Sequence, residues 1–149
     1  MKIAVAGDHA GFELKQWLVA ELRKAGHEIA DLGTGSSVPV DYPDFARAVG
    51  VAVVDGSAER GIVVCGSGVG ACMAANKIRG VRAGMCHDTY SAHQGVEHDA
   101  MNVLCLGSRV IGTALALEVV GAFLAARRST EERHLRRFQK ILDIESRGR

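Results

Sequence analysis

Short apolar runs alternate along the chain with longer stretches in which apolar residues return every three or four positions. That is the pattern of β-α units wrapped on a parallel sheet. The β-rich runs predict strands over Lys2–Gly7, His27–Leu32, Gly61–Cys65, Val81–Cys86 and Asn102–Gly107. Between the first two, Leu14, Trp17, Leu18, Leu22 and Ala25 recur at helical spacing, with Gly26 as the stop signal. Four more helices are expected over Asp44–Asp55, Gly70–Lys77, Thr89–His98 and Gly112–Ala126. A last helix, about residues 129–146, is expected because Ser129 and Glu132 have capping-box spacing and Leu135, Phe138, Ile141 and Ile144 form a stripe. It follows the final strand, so it must dock outside the β-α alternation, and a partner subunit is the expected surface. Thr34–Tyr42 is the one long irregular segment, and no linker or repeat interrupts the pattern. The prediction is an α/β fold in one domain: a five-stranded parallel sheet, its helices and an extra C-terminal helix.

Composition narrows the function. A chain of 149 residues fits a single domain, and a 48% hydrophobic, 23% charged balance supplies a core without the signature of disorder. The formal net charge of +1 argues against a nucleic-acid partner. The charge is uneven: residues 1–126 carry 10 Lys and Arg against 13 Asp and Glu, and residues 127–149 carry 8 against 4. A basic tail on an acidic body suits a small anion. The run Ile3–Ala6 is soon broken by Asp8 and His9, too short for a signal peptide or membrane span, so a cytoplasmic protein without membrane contact is expected. Cys65, Cys72, Cys86 and Cys105 show neither a C-x-x-C pair nor zinc spacing, which predicts free thiols and no metal.

Parallel sheets bind ligands beyond the carboxyl ends of their strands. Leaving the first strand, Gly7-Asp8-His9-Ala10-Gly11 sets an acid and an imidazole between glycines, suited to holding a polyol or equally to a plain helix cap beside a surface imidazole. Leaving the third, Cys65-Gly66-Ser67-Gly68-Val69-Gly70 has three glycines at alternate positions, so its backbone N–H groups can converge on a phosphate or a developing oxyanion. Thiols beside helix N-termini work as bases near neutral pH, whereas a strand-end cysteine in isolation is more often a small hydrophobe; the glycines favour the base. Glu97-His98-Asp99 closes a helix, where the imidazole serves as an acid or simply interacts with the helix dipole. Arg133 and Arg137, four apart on one helical face, repel by roughly 0.2–0.5 kcal/mol unless an anion lies between them, the alternative reading being a merely solvated basic face. Arg109 is a further anion-binding candidate. His27, His87 and His93 are read as surface or structural residues.

Taken in order, Gly7–Gly11, Asp41-Tyr42-Pro43, Cys65–Gly70, Ala74-Ala75-Asn76-Lys77, Glu97-His98, Asn102-Val103-Leu104, Gly107-Ser108-Arg109 and Arg133-His134 resemble the B-type ribose-5-phosphate isomerases, a family that includes allose-6-phosphate and galactose-6-phosphate isomerases. The likeness runs from Lys2 to about Glu145. It implies a Rossmann-like three-layer α/β/α sandwich, assembled as a homodimer or tetramer with active sites at the subunit interface, and it implies no cofactor. It casts Cys65 as the base moving a proton between C2 and C1, His98 as the acid that opens the sugar ring, and Ser67 as an aid to proton movement between the oxygens. Gly66, Ser67, Gly68, Val69 and Gly70 become the anion hole, Asp8 and His9 with Tyr42 the sugar contacts, and Arg109, Arg133 and Arg137 with His134 the phosphate contacts. Where the family usually carries Asn after His98, this chain has Asp99, which bears on the preferred sugar.

Two rivals are weaker. Gly66-x-Gly68-x-x-Ala71 with Asp88 beyond it fits a relaxed dinucleotide fingerprint, but it follows the third strand instead of the first. A cysteine phosphatase loop needs Arg where Ala71 stands.

Overall fold

The structure, a computed structural model, describes residues 1–147. The elements run β1 (Lys2–Gly7), α1 (Phe12–Lys24), β2 (Glu28–Asp31), α2 (Tyr42–Val54), β3 (Arg60–Cys65), α3 (Val69–Ala75), β4 (Ala83–Met85), α4 (Thr89–Asp99), β5 (Val103–Gly107), α5 (Thr113–Ala125) and α6 (Glu132–Arg147). The five strands form one all-parallel sheet in the order β2-β1-β3-β5-β4.

The central strands β1, β3 and β5 are buried on both faces, and their alternate side chains feed two cores. Ile3, Val5, Ile62, Val64, Leu104 and Leu106 meet α1, α4 and α5, while Ala4, Ala6, Val63, Cys65, Val103 and Cys105 meet α2 and α3. The second face uses smaller residues, so α2 and α3 lie close to the sheet. The sheet order reverses direction around β1 and β3, and the crevice between their carboxyl ends is where such folds receive ligands. Both motifs singled out in the sequence leave from that crevice.

Most boundaries shift by a residue or two from expectation, and three of the shifts have a clear local cause. β4 shrinks to Ala83–Met85 because it is an edge strand whose first residue is held by a side chain: the Asn76 amide donates to Ala83 O at 2.9 Å and accepts from Ala83 N at 2.9 Å. α2 begins at Tyr42, with Pro43 preset in its first turn. α6 begins at Glu132, and the expected capping box is absent: Ser129 Oγ accepts the N–H of Glu131 at 3.1 Å, a local turn ahead of the helix.

α6 packs against its own chain near the amino-terminal end of the sheet. Its buried Phe138 lies between the guanidinium groups of Arg128 and Arg82, 4.1 and 5.2 Å from the ring centre, and Glu145 accepts the Gly80 N–H at 2.7 Å. Leu135, Ile141 and Ile144 of the same helix stay exposed.

Candidate active site

A cavity of about 350 Å³ lies over the β1/β3 crevice, lined by Asp8, His9, Ala10, Tyr42, Cys65, Gly66, Ser67, Gly70, Arg109 and Val110. Eight of these were expected from the sequence; Ala10 and Val110, which complete the wall, were not. Cys65 is the last residue of β3 and, only 4% exposed, lies at the floor of the cavity. All four cysteines are free thiols.

The turn after Cys65 reverses the chain through Gly68, whose φ of 85° is a conformation that a residue with a Cβ adopts only under strain. This turn aims the Gly68 N–H at Cys65 Sγ, 3.1 Å away, and begins α3. The Ser67 hydroxyl accepts the Val69 N–H at 3.2 Å.

Around the sulfur, three loops are cross-tied. Ser108 N–H donates to Cys65 O at 2.8 Å, Arg109 N–H to Gly66 O at 3.0 Å, and Ser108 Oγ to Ala10 O at 2.7 Å, which brings Arg109 to the rim. The Asp8 carboxylate, 6% exposed, takes the Gly11 N–H on Oδ1 at 2.9 Å. It therefore caps the turn into α1 and still lines the cavity. His9 Nδ1 accepts the Val40 N–H at 3.2 Å, so in the neutral ring Nε2 carries the proton and is the donor left for a ligand. Tyr42 lies across Gly70 as a side wall: a Cβ built at Gly70 would sit 2.6 Å from Tyr42 Cζ.

Sequence reasoning missed the post behind this arrangement. Lys15 is fully buried, with Nζ 2.7 and 2.9 Å from the Asp31 oxygens and 2.9 Å from Thr34 O. It pins the start of the segment whose Val40 holds His9. The signal was visible, since Lys15 falls on the same α1 face as Leu14, Leu18 and Leu22. His87, read as surface or structural, is structural: its Nε2 accepts the Gly107 N–H at 2.9 Å.

The remaining expected residues are not in this cavity. His98 and Asp99 end α4, and Arg133, His134 and Arg137 lie on α6. Asn102 leads from there into β5, whose first residue pairs with Gly61, whereas its last pairs with Cys65. The two groups are thus separated by the length of the strand, about 13 Å for four residue steps at roughly 3.3 Å each. His98 and His134 are stacked, with ring centres 3.8 Å apart and an interplanar angle of 28°. His134 is 4% exposed, its ring covered by its neighbours, unlike the exposed arginines beside it on α6. Arg133 pairs with Glu131 at 2.7 Å, and Arg137 is exposed. Asp99 is exposed and borders a separate, mainly apolar cleft of about 540 Å³ between β4, α4 and α6.

The residues match a known family. The profile of the Ribose/Galactose Isomerase family fits residues 3–141. The chain belongs to this family. Ribose-5-phosphate isomerase B of Escherichia coli (strain K12) is 46% identical over 146 residues, covering 98% of this chain and 97% of that protein. The D-erythrulose-4-phosphate isomerase of Pectobacterium atrosepticum is 42% identical over 129 residues, 85% of this chain and 84% of that protein. Among solved structures, ribose-5-phosphate isomerase B of Clostridium thermocellum superposes with a TM-score of 0.96 at 44% identity over the whole of both chains. That of Mycoplasma genitalium with bound ribulose-5-phosphate gives 0.91 at 39% identity, covering 97% and 96%. The activity of this family member is therefore aldose-ketose isomerisation. Among the described residues, no helix is long and apolar enough to cross a membrane, and no group of three His, Cys, Asp or Glu side chains is placed to hold a metal.

Proposed function

We propose that the chain interconverts ribose 5-phosphate and ribulose 5-phosphate in the cytoplasm, at sites built from two copies of itself. The observation that carries this reading is the Cys65 sulfur on the cavity floor with the Gly68 N–H donated to it at 3.1 Å. The Cys65 thiolate removes the C2 proton of the open-chain aldehyde; the C2 electrons form the C1–C2 double bond of an enediolate, and O1 takes the negative charge. The backbone of Gly66–Gly70 bears that charge, and Ser67 passes a proton between O2 and O1. Cys65 then returns its proton to C1, completing the ketose. Asp8 and His9 hold the hydroxyls and Tyr42 closes the side.

Ring opening comes first and needs an acid at the furanose oxygen. His98 fills that role, and it belongs to a second copy, because within one chain it stands at the opposite end of the sheet from Cys65. Arg133 and Arg137 arrive with it and gather the phosphate together with Arg109 of the first copy. Binding the phosphate away from the reacting carbons supplies the positioning. A homodimer is the smallest assembly that completes a site.

A second substrate reading rests on the relatives named D-erythrulose-4-phosphate isomerase and on Asp99 beside His98. The deciding assay follows ketose formation from ribose 5-phosphate, allose 6-phosphate and erythrose 4-phosphate side by side, with Cys65→Ala as control. Highest kcat/KM on ribose 5-phosphate and near-complete loss in Cys65→Ala are expected. Preference for another sugar replaces the substrate, and near-normal turnover in Cys65→Ala removes the base.

A further inference from the structure

We propose that His134 is a positioning residue for His98: its buried ring, stacked on the His98 imidazole, fixes the plane in which that imidazole meets the sugar. The inference rests on the reading of His98 as the ring-opening acid, and extends it to a residue that touches no substrate.

His98 ends α4 with about 29% of its side chain exposed. Its closest charged neighbour is Glu97, with Nε2 3.8 Å from a carboxylate oxygen, too long for a hydrogen bond. An imidazole so placed has rotamers to choose from, and an acid that must protonate one oxygen needs one of them. The other restraint on its ring is the face of His134, 3.8 Å away.

His134 is brought there by a short relay. Ser129 N–H donates to Glu97 O at 2.9 Å, Ser129 Oγ accepts the Glu131 N–H at 3.1 Å, and Glu131 O accepts the His134 N–H at 2.9 Å. The relay ties the first turn of α6 to the end of α4. One helical turn on, Phe138 is clamped by Arg128 and Arg82, which holds the helix in that seat.

Simple space-filling does not account for an imidazole at this position. His134 Nδ1 is buried without a hydrogen-bond partner among the described residues, and an apolar side chain would fill the space without that unpaired atom. What the ring offers is a flat face of the right size against a second flat ring.

The test separates a flat face from mere volume. His134→Phe keeps a ring, His134→Leu keeps bulk without one, and His134→Ala removes both. With ribose 5-phosphate, His134→Phe is expected to stay within about threefold of the parent, while His134→Leu loses kcat by roughly tenfold to a hundredfold, the cost of misplacing a reacting group by about 1 Å, with KM little changed. In NMR spectra the His98 ring protons, shifted by the neighbouring ring current, move in His134→Leu and hold near their place in His134→Phe. Equal kcat in the Leu and Phe variants, or a KM effect alone, overturns the proposal. If His134→Ala fails to fold, the Phe and Leu pair still decides. A parent chain inactive on every sugar phosphate sinks the isomerase reading instead, and the His98 shifts still show whether the stack exists.

Discussion

Lys15, without exposed surface on α1, places its ammonium 2.7 Å from Asp31 Oδ1 at the end of β2, and also bonds the Thr34 carbonyl. The pair lies away from the cavity, but it anchors the segment that carries Val40 to His9. Lys15→Met removes the cation and leaves Asp31 and the Thr34 carbonyl without their partner. We expect a loss of roughly 3 kcal/mol in urea unfolding, toward the lower end for a buried pair because Asp31 is partly exposed. Activity at temperatures where the variant is folded should fall through KM, since His9 loses its support. A Lys15→Met variant as stable as the parent would refute the anchoring role.

Gly70 and Tyr42 make a second coupled pair. A Cβ at Gly70 would lie 2.6 to 2.9 Å from the ring atoms Cζ, Cε2 and Oη of Tyr42. Tyr42 is 40% exposed and can swing outward, so Gly70→Ala at this half-buried position should cost little stability, within about 1 kcal/mol. The displaced Tyr42 no longer closes the cavity, and kcat/KM should fall about tenfold. Tyr42→Ala alone should show a similar loss, and adding Gly70→Ala to it should cost little more. Additive losses in the double variant would place the effect of Gly70 in the backbone turn.

Cys72 provides a pH signature. A hydrogen bond with the Cys105 thiol, aided by the Met85 backbone and the Asn76 amide, brings the Cys72 thiol from its ordinary 9.0 down to about 7 against the opposing effect of burial. A group lowered on folding contributes stability that is present above its unfolded value and is lost as pH falls through its folded value. Stability from this thiol should therefore rise between pH 7 and 9. Cys86, pushed up to about 11 chiefly by burial, acts in the opposite sense only above pH 9. Urea midpoints at pH 7 and 9 should rise in the parent and rise less in Cys72→Ser. Equal slopes would show that the Cys105 bond does not act on Cys72 in solution.

The central strands were legible because β1, β3 and β5 are near-continuous apolar runs ended by Gly or Cys; their order in the sheet was not read from the sequence. Boundaries set by side chains were not: Asn76 stands in for a strand partner of Ala83, and Ser129 turns the chain ahead of α6. That Asp8, His9, Cys65 and Arg109 line one cavity could be expected because glycine-bounded turns at strand ends announce themselves. For Lys15 the one mark in the sequence is its place in the apolar stripe of α1. The packing of His134 was illegible for a different reason. It sits in an arginine-rich run, and only the packing of α6 on α4 sets its ring against His98.

The separation of Cys65 from His98 along the sheet has a consequence that kinetics can read directly. If each site takes Cys65 from one copy and His98 from another, two inactive variants repair each other. Cys65→Ala and His98→Ala should each be nearly inactive on ribose 5-phosphate as homodimers. Mixed by unfolding and refolding together, half the dimers are hybrids, and each hybrid holds one site with both intact residues and one with neither. Activity should then return to about a quarter of the parent value, as expected for a two-fold assembly with shared sites. A site built within one copy predicts no recovery, because the hybrid would contain one site lacking Cys65 and one lacking His98. The same mixing with His134→Leu in place of His98→Ala should also restore turnover, since His134 travels with His98 on the same chain.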